Sequence, residues 1–409
     1  MQQALPPVAP GQRRRRALGA VAALLAGGAA YVGACALVPM PAPAVTLEVP
    51  ATQSFAVDDA PAQAAVDAEP LPTAVGWLDG EAVWSNDDSA QPLASITKLV
   101  TAVIGQEAEP IAAGDPGPTY TWSEADVERQ EAFAELDGIV FPIPVGTEIS
   151  RRDMLTLALV PSANDFADAY AYSIFGDNER FTAAAAEWAE REGLTSLRIS
   201  EPSGMDDGNV ANAADVLRLA RIVLDDPVLA EIVGTSRASF PWGIGEVENS
   251  NPLLEAMPGA LGVKTGHTDT AGYSLAAAAH SEFGDRELTG IAVALGRGSE
   301  DERAADAREL LTLLAELPED VEAASDEEAL ATLTAADGQT VGLRVAGGYS
   351  EVLVPGETLT RSIEVGGAED SVVVSGPRGA REVAVVREGT LSEPSLWWRI
   401  THPRELATR

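Results

Sequence analysis

Lysine is almost absent from this chain of 409 residues: it occurs only as Lys98 and Lys264, and arginine carries the rest of the positive charge. Cysteine occurs once, as Cys35, which excludes an intramolecular disulfide. The three histidines are widely spaced and form no metal-binding motif. Any hydrolytic chemistry is therefore expected to proceed without a metal ion or other cofactor, and without a Ser-His-Asp triad.

Positively charged residues are scarce overall. The chain has 27 lysine and arginine residues but 63 aspartate and glutamate residues, so its formal net charge is −36. A surface this acidic repels nucleic acid, so we expect no nucleic-acid partner. Attraction of a cationic partner stays open beside the simpler explanation that the charge keeps the protein soluble. Aromatic residues make up only 5% of the chain, but an apolar fraction of 46% fits a globular protein.

The N-terminal segment, residues 1–40, has arginine at residues 13–16 and then no charge through residue 39. Such a run is long enough to cross a bilayer as a helix, with the arginines on the inner side. The alternatives are a signal peptide cleaved at "APA", residues 42–44, and a lipoprotein signal with Cys35 as the lipid anchor point. All three place the rest of the chain on the extracytoplasmic face of the cell membrane.

Composition divides the rest of the chain into three parts. Residues 41–71 are rich in Ala, Pro and Asp without periodicity, which predicts a flexible linker. Residues 72–318 run from strand patterns through many helices back to strands and a helix. That order favours an α+β fold, with a mainly antiparallel sheet and a helical cluster, over an alternating parallel fold. Residues 324–395 alternate apolar and polar residues between Gly/Pro turns, as in a small β-sandwich.

The first candidate for chemistry is "SITK", in which Ser95 and Lys98 are spaced i, i+3. At the start of a helix this spacing puts both side chains on one face. A serine hydroxyl becomes a good nucleophile when a neighbour takes its proton, and lysine does so only if burial or nearby charge lowers its pKa. Arginine stays protonated and cannot replace it. A helix start with an exposed lysine is the alternative interpretation.

The second candidate is "PSAND", which places Ser162 and Asn164 in a break between two helical patterns. A hydroxyl beside the Ser-Lys pair can relay its proton, and an amide two residues later can hold a peptide carbonyl. A simple helix N-cap would explain the same residues.

The third candidate is "KTG", formed by Lys264, Thr265 and Gly266 in a strand pattern. Glycine lets a substrate backbone lie close to the strand, threonine offers a hydroxyl, and lysine supplies a fixed charge for a carboxylate. Each motif alone is weak. Together, in the order S-x-x-K, S-x-N and K-T-G, they form the signature of penicillin-recognising serine enzymes, and both lysines of the chain fall inside it.

With these motifs the sequence resembles the serine-type D-alanyl-D-alanine carboxypeptidases, the low-molecular-mass penicillin-binding proteins. "LALVPSANDFADAYA", "SEPSGMDDGNVANAADVLRLA" and "GVKTGHTDTAGYSLAAAA" are similar to stretches of that family, and the similarity covers roughly residues 70–315. The resemblance implies a penicillin-binding/β-lactamase-like domain followed by a β domain. It also implies removal of the terminal D-alanine from peptidoglycan pentapeptide stems through a serine acyl-enzyme, control of cell-wall cross-linking, and inhibition by β-lactams.

The resemblance assigns the chemical steps to four residues. It implies Ser95 as the nucleophile, Lys98 as its base and Ser162 as a proton relay. The backbone N–H groups of Ser95 and His267 would form the oxyanion hole, which needs two donors aimed at the tetrahedral oxygen.

Substrate binding is likewise implied by the resemblance. Asn164 would bind the substrate amide, while Lys264 and Thr265, with Gly266 beside them, would recognise the terminal carboxylate. The sequence departs from the family at Ala163, where glycine is usual. We expect its methyl group to crowd the site or shift Asn164, which affects the rate more than the reaction type.

The C-terminus also departs from the family, whose members often end in a membrane-binding helix. The segment "SLWWRITHPRELATR" is too short and too charged to span a bilayer. Packing of Trp397 and Trp398 against the β domain is the favoured expectation, with contact to a membrane interface as the alternative.

Two other functions fit parts of the pattern. A β-lactamase shares all three motifs, and Glu201 stands where a deacylating glutamate would be sought, but "EPSGMDD" continues like the carboxypeptidase loop. A catalytically idle wall-binding protein would use the membrane tether and the β domain. Retention of all three motifs argues against that second alternative.

Overall fold

The computed structural model describes residues 10–367 and 369–406, so the first nine residues of the predicted anchor segment 1–40 lie outside the described residues. The helices in the described part of the chain are α1 (Pro10–Leu37), α2 (Ala60–Asp67), α3 (Thr97–Ala108), α4 (Glu124–Glu135), α5 (Arg151–Leu159), α6 (Asn164–Phe175), α7 (Asn178–Arg191), α8 (Ala213–Asp225), α9 (Pro227–Val233), α10 (Leu253–Ala256), α11 (Glu300–Glu316) and α12 (Leu396–Thr401). A single 3₁₀ turn among these residues, Ala94–Ile96, leads directly into α3.

The strands follow the same chain order. They are β1 (Ala44–Leu47), β2 (Thr52–Ala56), β3 (Thr73–Trp77), β4 (Trp84–Ser85), β5 (Gln91–Pro92), β6 (Thr119–Thr121), β7 (Glu148–Ser150), β8 (Val210–Ala211), β9 (Arg237–Phe240), β10 (Gly245–Glu248), β11 (Ala260–Thr268), β12 (Gly272–Phe283), β13 (Arg286–Arg297), β14 (Glu319–Ala324), β15 (Ala329–Thr334), β16 (Thr340–Val345), β17 (Tyr349–Leu353), β18 (Thr358–Glu364), β19 (Ser371–Gly376), β20 (Gly379–Val383) and β21 (Val385–Arg387).

The chain forms two compact units. The larger unit comprises residues 56–320 and 352–357, and the smaller unit comprises the described residues up to 55 together with 321–351 and those from 358 onwards. The predicted domain 72–318 lies within the larger unit, whereas the predicted domain 324–395 lies in the smaller unit except for residues 352–357. Both units, however, include chain that the sequence patterns did not assign to them.

The larger unit is built on a five-stranded sheet in the order β11-β12-β13-β3-β4, with antiparallel neighbours. Side chains of alternate residues along β12 are buried in two different hydrophobic cores. Ala276 and Ala278 pack with α3, α5, α6 and α8, whereas Leu275 and Ala277 pack with α2 and α11. The alanines leave room for helices to approach both faces of the sheet closely. This arrangement of helices around an antiparallel sheet confirms the predicted α+β class.

Polar caps begin several helices of the larger unit. Ser123 and Asp126 form a capping box at α4, and the side chains of Asn212 and Ser299 accept backbone N–H groups at the starts of α8 and α11. These caps fix where each helix begins. At α11 the cap leaves only two residues between the end of β13 at Arg297 and the first residue of the helix, Glu300.

The smaller unit contains two four-stranded sheets, ordered β1-β15-β16-β21 and β2-β18-β19-β20. Burial alternates along β16 and β18, so one side chain in two is buried, as the apolar/polar alternation predicts. Two sheets with alternating burial agree with the expected C-terminal β domain. Its two N-terminal strands, however, come from residues 44–56, far upstream in the sequence.

The prediction that residues 41–71 form a flexible linker is wrong. Val45 in β1 pairs with Leu333 in β15, and β2 joins the second sheet of the smaller unit. Residues 60–67 form α2, whose Ala62 and Val66 are fully buried in the larger unit. The order of this segment is not evident from its own sequence, because its two strands pair with partners about 300 residues later in the chain.

The N-terminal helix α1 differs from the other helices in its exposure. Residues 14–37 of α1 are long and apolar enough to cross a membrane, and only 6% of the most apolar window is buried. At the other end of the chain, Trp397 in α12 is 75% exposed, so the expectation that it packs against the β domain is wrong. Trp398 instead stacks on His402, with ring centroids 4.7 Å apart.

Candidate active site

Ser95 lies on the 3₁₀ turn that leads into α3, where the backbone is held by close packing. Ala94 adopts a left-handed backbone with φ of 46°, and Gly204 packs against it with φ of 88°. A Cβ at Gly204 would lie only 2.0 Å from the Ala94 carbonyl oxygen, so glycine is required there. The loop around residues 200–209 therefore fixes the turn that presents Ser95.

The structure brings Ser95 and Lys98 together. Nζ of Lys98 lies 2.8 Å from Oγ of Ser95 and donates a 2.6 Å hydrogen bond to the carbonyl oxygen of Ser203. Lys98 is 1% exposed, and burial lowers its pKa to about 8, against the opposing effect of nearby carboxylates. The alternative interpretation, a helix start with an exposed lysine, is therefore wrong.

Three carboxylates lie near this lysine. The sequence analysis considered Glu201 but did not single out Asp168 or Asp165. Glu201, Asp168 and Asp165, in decreasing order of effect, raise the pKa of Lys98. Burial raises the pKa of Asp168 to about 8, and Oδ1 of that residue has no partner among the described residues. Asp165 is buried with a pKa raised to about 6, although hydrogen bonds from Gln130 and the Phe141 N–H oppose the shift.

Glu201 is fully engaged within its own loop. Its carboxylate accepts hydrogen bonds from the N–H and hydroxyl of Ser203, the N–H of Gly204, and Nδ2 of Asn209. The carboxylate thus organises the loop that packs on the Ser95 turn. It does not line the cleft beside Ser95.

Ser162 and Asn164 occupy the break between α5 and α6. Ser162 has φ of 70°, a left-handed conformation that costs a non-glycine residue about 1–2 kcal/mol and is found at functional sites. Oδ1 of Asn164 accepts a hydrogen bond from the Ile139 N–H, while its buried Nδ2 has no partner among the described residues. Both N–H donors of the Asn164 amide are therefore unpaired within the described part of the chain.

Ala163 does not crowd the cleft as its methyl group was expected to do. The residue has φ of −62° and ψ of 126°, which any residue adopts, and its side chain is fully buried in the hydrophobic core. Asn164 beside it still lines the cleft. The backbone at this position has no positive φ, so it does not require glycine.

Strand β11 carries Lys264, Thr265, Gly266 and His267 along the edge of the five-stranded sheet. A Cβ at Gly266 would lie 2.7 Å from the carbonyl oxygen of Leu93. The backbone that approaches this glycine is therefore the protein's own turn before Ser95, and not only a substrate as the motif led us to expect. Glycine at this position lets the turn and the strand meet.

Lys264 is 1% exposed and lies behind two hydroxyl groups. Nζ of Lys264 is 3.3 Å from Oγ of Ser250. The Ser250 Oγ is in turn 2.6 Å from Oγ1 of Thr265. Burial lowers the pKa of Lys264 well below its usual value, and the charges of Lys98 and Arg303 lower it further. Ser250 was not predicted from the sequence, although "NSN" lies only 14 residues before the K-T-G motif.

Arg303 on α11 is a further residue that the sequence analysis missed. Its guanidinium donates to the carbonyl oxygens of Gly266 and Ser274 and pairs with Glu300 at 2.8 Å. It also lies 5.5 Å from the ring centroid of Tyr273, which stacks on the imidazole of His267. A basic residue in the acidic first turn of α11 was the available signal.

These residues surround one cleft of about 290 Å³. Its walls include Ser95, Ser162, Asn164, Thr265, Gly266, His267, Ser250 and Arg303. Neither lysine is part of these walls: Lys98 lies behind the hydroxyl of Ser95, and Lys264 lies behind those of Ser250 and Thr265. In the described part of the chain, no group of three or more His, Cys, Asp or Glu side chains is placed to hold a metal ion.

Residues 82–297 match the family described as D-alanyl-D-alanine carboxypeptidase, peptidase family S11. A D-alanyl-D-alanine endopeptidase of Pseudomonas aeruginosa is 30% identical over 212 residues, covering 48% of this chain and 62% of the relative. The D-alanyl-D-alanine carboxypeptidase DacF of Bacillus subtilis is 28% identical over 222 residues, covering 53% of this chain and 54% of the relative. The chain thus spans little more than half the length of these curated relatives.

Solved structures agree with the fold. Penicillin-binding protein 6B from Escherichia coli superimposes with a TM-score of 0.58 at 21% identity, covering 77% of this chain and 93% of the other. The carboxypeptidase DacD from Francisella tularensis gives a TM-score of 0.55 at 20% identity, with coverage of 79% and 94%. At these identities the likeness establishes the fold alone.

Proposed function

Because the chain belongs to the D-alanyl-D-alanine carboxypeptidase family, we propose that it removes the terminal D-alanine from peptidoglycan pentapeptide stems and so limits cell-wall cross-linking. One observation carries the proposal: Lys98 Nζ lies 2.8 Å from Ser95 Oγ, and burial lowers the lysine pKa to about 8. Such an amine is partly neutral near physiological pH, where it can accept the hydroxyl proton.

The proposed reaction begins when Lys98 takes the proton of Ser95 and Oγ attacks the carbonyl carbon between the two D-alanines. Backbone N–H groups of Ser95 and His267 stabilise the tetrahedral oxyanion. As the C–N bond breaks, the proton passes from Lys98, with Ser162 as relay, to the leaving amine of D-alanine. Water then hydrolyses the ester on Ser95 by the same steps in reverse.

Two groups of donors support the proposed binding mode. The unpartnered Nδ2 of Asn164 is available to a carbonyl oxygen of the stem peptide. The hydroxyls of Ser250 and Thr265, with Lys264 behind them and Arg303 beside them, suit the terminal carboxylate. Binding of that anion would restore the charge that burial withdraws from Lys264.

β-Lactams are proposed to acylate Ser95 and to be hydrolysed slowly. A β-lactamase of the best-known class needs a glutamate that activates the deacylating water. Glu201, the one candidate from the sequence, is held by the backbone and side chains of its own loop. Its engagement there argues for a long-lived adduct and against a β-lactamase.

A second candidate is cleavage of D-alanyl-D-alanine bonds within longer peptides, because the Pseudomonas aeruginosa relative is an endopeptidase. The cationic and hydroxyl groups at one end of the cleft favour a substrate that ends in a free carboxylate. We therefore place carboxypeptidase activity first. Both activities share the acyl-enzyme on Ser95, so they differ only in the substrate that the cleft accepts.

The experiment is release of D-alanine from a pentapeptide ending in D-Ala-D-Ala, measured beside cleavage of a cross-linked peptide dimer. We expect rapid release from the first and little cleavage of the second, with Ser95→Ala inactive on both. Intact-mass analysis after penicillin treatment should show one adduct, on Ser95. No D-alanine release and no adduct would identify a catalytically idle wall-binding protein instead.

We also propose that α1 is retained as a membrane anchor and that both units lie outside the cytoplasm. Arg399 donates a 2.7 Å hydrogen bond to the Ala36 carbonyl oxygen, and Tyr31 donates one to Ile400. A signal peptidase acting at residues 42–44 would remove these partners. Lipidation of Cys35 would require access to a side chain that is only 5% exposed. Protease added to wall-stripped cells should degrade the protein while cytoplasmic controls survive.

A further inference from the structure

The first strand of the smaller unit, β1, lies at the edge of its sheet. It pairs with β15 on one side, and no other strand in the described part of the chain pairs with its second side. The Glu48 N–H donates to the Leu330 carbonyl oxygen at 2.9 Å. Because ladder bonds alternate along an antiparallel pair, the backbone N–H and C=O groups of Val45 and Leu47 point to the unpaired side. These two residues can therefore form hydrogen bonds with a further strand.

The side chains of the same two residues are apolar and partly exposed. Val45 lies opposite Leu333 in the register, and Leu47 lies opposite Ala331. Residues opposite each other share a face of the sheet, and both partners in β15 are only 2% exposed. Val45 and Leu47 thus point to the buried face, yet each is 39% exposed. The hydrophobic core of the smaller unit is open along β1.

A cavity of about 600 Å³ lies at this opening. Val45 and Leu47 line it together with Ile363 and Val365, which lie at the end of β18 in the second sheet. Gly366, with φ of 83°, packs against Val45 and brings this end of the second sheet close to β1. Alternate side chains of a strand point to one face, so an additional strand beside β1 would direct every second side chain into the cavity.

The charge around the cavity indicates which partner fits. Glu364 and Glu369 also line it, and both are exposed without an ion-pair partner among the described residues. β1 contains no charged residue and no proline, which commonly protect a free edge, whereas β21 at the other edge of the sheet carries Arg387. A second copy of this chain would add its own glutamates and a net charge of −36 at the same place. A basic partner is therefore favoured over self-association.

We propose that β1 and this cavity bind an extended segment of a basic partner protein, which pairs with β1 as an additional antiparallel strand. Its backbone hydrogen-bonds to Val45 and Leu47, and its alternate apolar side chains fill the cavity. Lysine or arginine beside the apolar residues lies near Glu364 and Glu369. In strand addition the main-chain hydrogen bonds supply affinity, and the pockets for alternate side chains supply specificity. The inference concerns the smaller unit alone and does not depend on the proposed catalytic function.

The test measures binding of labelled peptides to the full chain in a non-ionic detergent by fluorescence anisotropy. In the probe peptide, valine alternates with threonine between two terminal lysines. With the valines in the cavity of an antiparallel pair, the valine N–H groups face β1 and the threonine N–H groups face solvent. N-methylation of the valines should therefore weaken binding about tenfold or more, since several hydrogen bonds are lost. N-methylation of the threonines is the matched control and should leave binding within about twofold of the probe. A peptide with terminal glutamates should also bind more weakly.

Substitutions in the protein locate the site. Val45→Lys should weaken binding of the probe about tenfold, because it places a charge in the apolar cavity. The matched Val386→Lys, at the opposite edge of the same sheet where the valine is 51% exposed, should not. Glu364→Lys should weaken binding of the lysine-ended peptide and strengthen binding of the glutamate-ended one. Thermal unfolding confirms that each variant is folded, and release of D-alanine should be unchanged in all three.

Equal binding of the two N-methylated peptides would overturn strand addition. The same conclusion would follow if the probe did not bind, or if Val45→Lys and Val386→Lys had equal effects. Self-association of the full chain that Val45→Lys abolishes would identify a second copy as the occupant and overturn the proposal of a basic partner. Loss of D-alanine release would bear on the proposed function and not on this site.

Discussion

The two lysines of the chain are equally buried but lie in opposite electrostatic surroundings. Lys98 is surrounded by the carboxylates of Glu201, Asp168 and Asp165, which oppose the effect of burial and leave its pKa at about 8. Lys264 has cationic neighbours, Lys98 and Arg303, so its pKa is lowered further. The same residue type thus has two different electrostatic environments behind one cleft.

The two lysines therefore differ in the negative charge available nearby. Lys98 already has its counter-charges, so it is suited to exchange a proton with Ser95 at 2.8 Å without any ligand. Lys264 has only the hydroxyls of Ser250 and Thr265 in front of it, so an anion entering the cleft would supply the missing negative charge. Substitutions at and around the two lysines test this contrast.

The largest effect is expected for Lys98→Arg. Arginine keeps the positive charge but cannot accept a proton, so acylation should fall by the factor of about 10² to 10⁴ typical of losing general-base catalysis. Acylation is measured with a fluorescent penicillin, and circular dichroism confirms folding. A folded variant that acylates near the parental rate would show that lysine is not needed there as a base.

Lys264→Ala should have the next largest effect. Loss of a charge-assisted hydrogen bond to the terminal carboxylate is worth roughly 1.5–3 kcal/mol, about 10- to 100-fold in kcat/KM. Lys264→Arg should retain part of the activity, limited by the bulk of the guanidinium group. The loss should be larger for peptides with a free terminal carboxylate than for the corresponding amides, and equal losses on both would contradict a carboxylate-binding role.

Ser250→Ala should have a moderate effect. It removes the hydroxyl between Lys264 and Thr265, and a neutral hydrogen bond contributes about 0.5–1.5 kcal/mol, roughly 2- to 12-fold. We expect KM to rise while kcat changes little, because the carboxylate is bound alike in the ground and transition states. Ser250→Thr restores a hydroxyl and should recover most of the affinity; failure to recover would point to a packing effect.

Asp168→Asn should have the smallest effect, a change in pH dependence. Lys98 must be neutral to accept a proton, so acylation rises with pH through its pKa of about 8. Removing a carboxylate that raises this pKa should move the rise to lower pH. The pH profile of acylation measures it, with the exposed Asp301→Asn as the matched control. A shift to higher pH would contradict the proposed influence of Asp168 on Lys98.

Local spacing made part of the site predictable. Ser95 and Lys98 meet because residues three apart share a helix face, and that rule needs only the sequence. Asp168 and Arg303 reach the site through tertiary packing, which no local pattern encodes. One sequence feature pointed to Asp168: it is an acidic residue on an otherwise largely apolar helix, where Phe166 and Tyr170 are fully buried.

The fold was predictable to a similar extent. Apolar periodicity identified the antiparallel sheet, the helical cluster and the C-terminal strands, because those elements bury regular faces. The strands at residues 44–47 and 52–56 escaped detection because each is short and mostly exposed, with partners that follow only after residue 328. Such pairings depend on the whole fold rather than on the segment itself.

That long-range pairing has a consequence for biogenesis. β1 is synthesised before the larger unit, yet its partner β15 follows almost 300 residues later. At about 5–20 residues per second, the unpaired strand waits on the order of tens of seconds. During this interval its free edge is open to pairing with other nascent chains. The smaller unit is thus the last part of the protein to assemble, because its first strands must wait for its last ones.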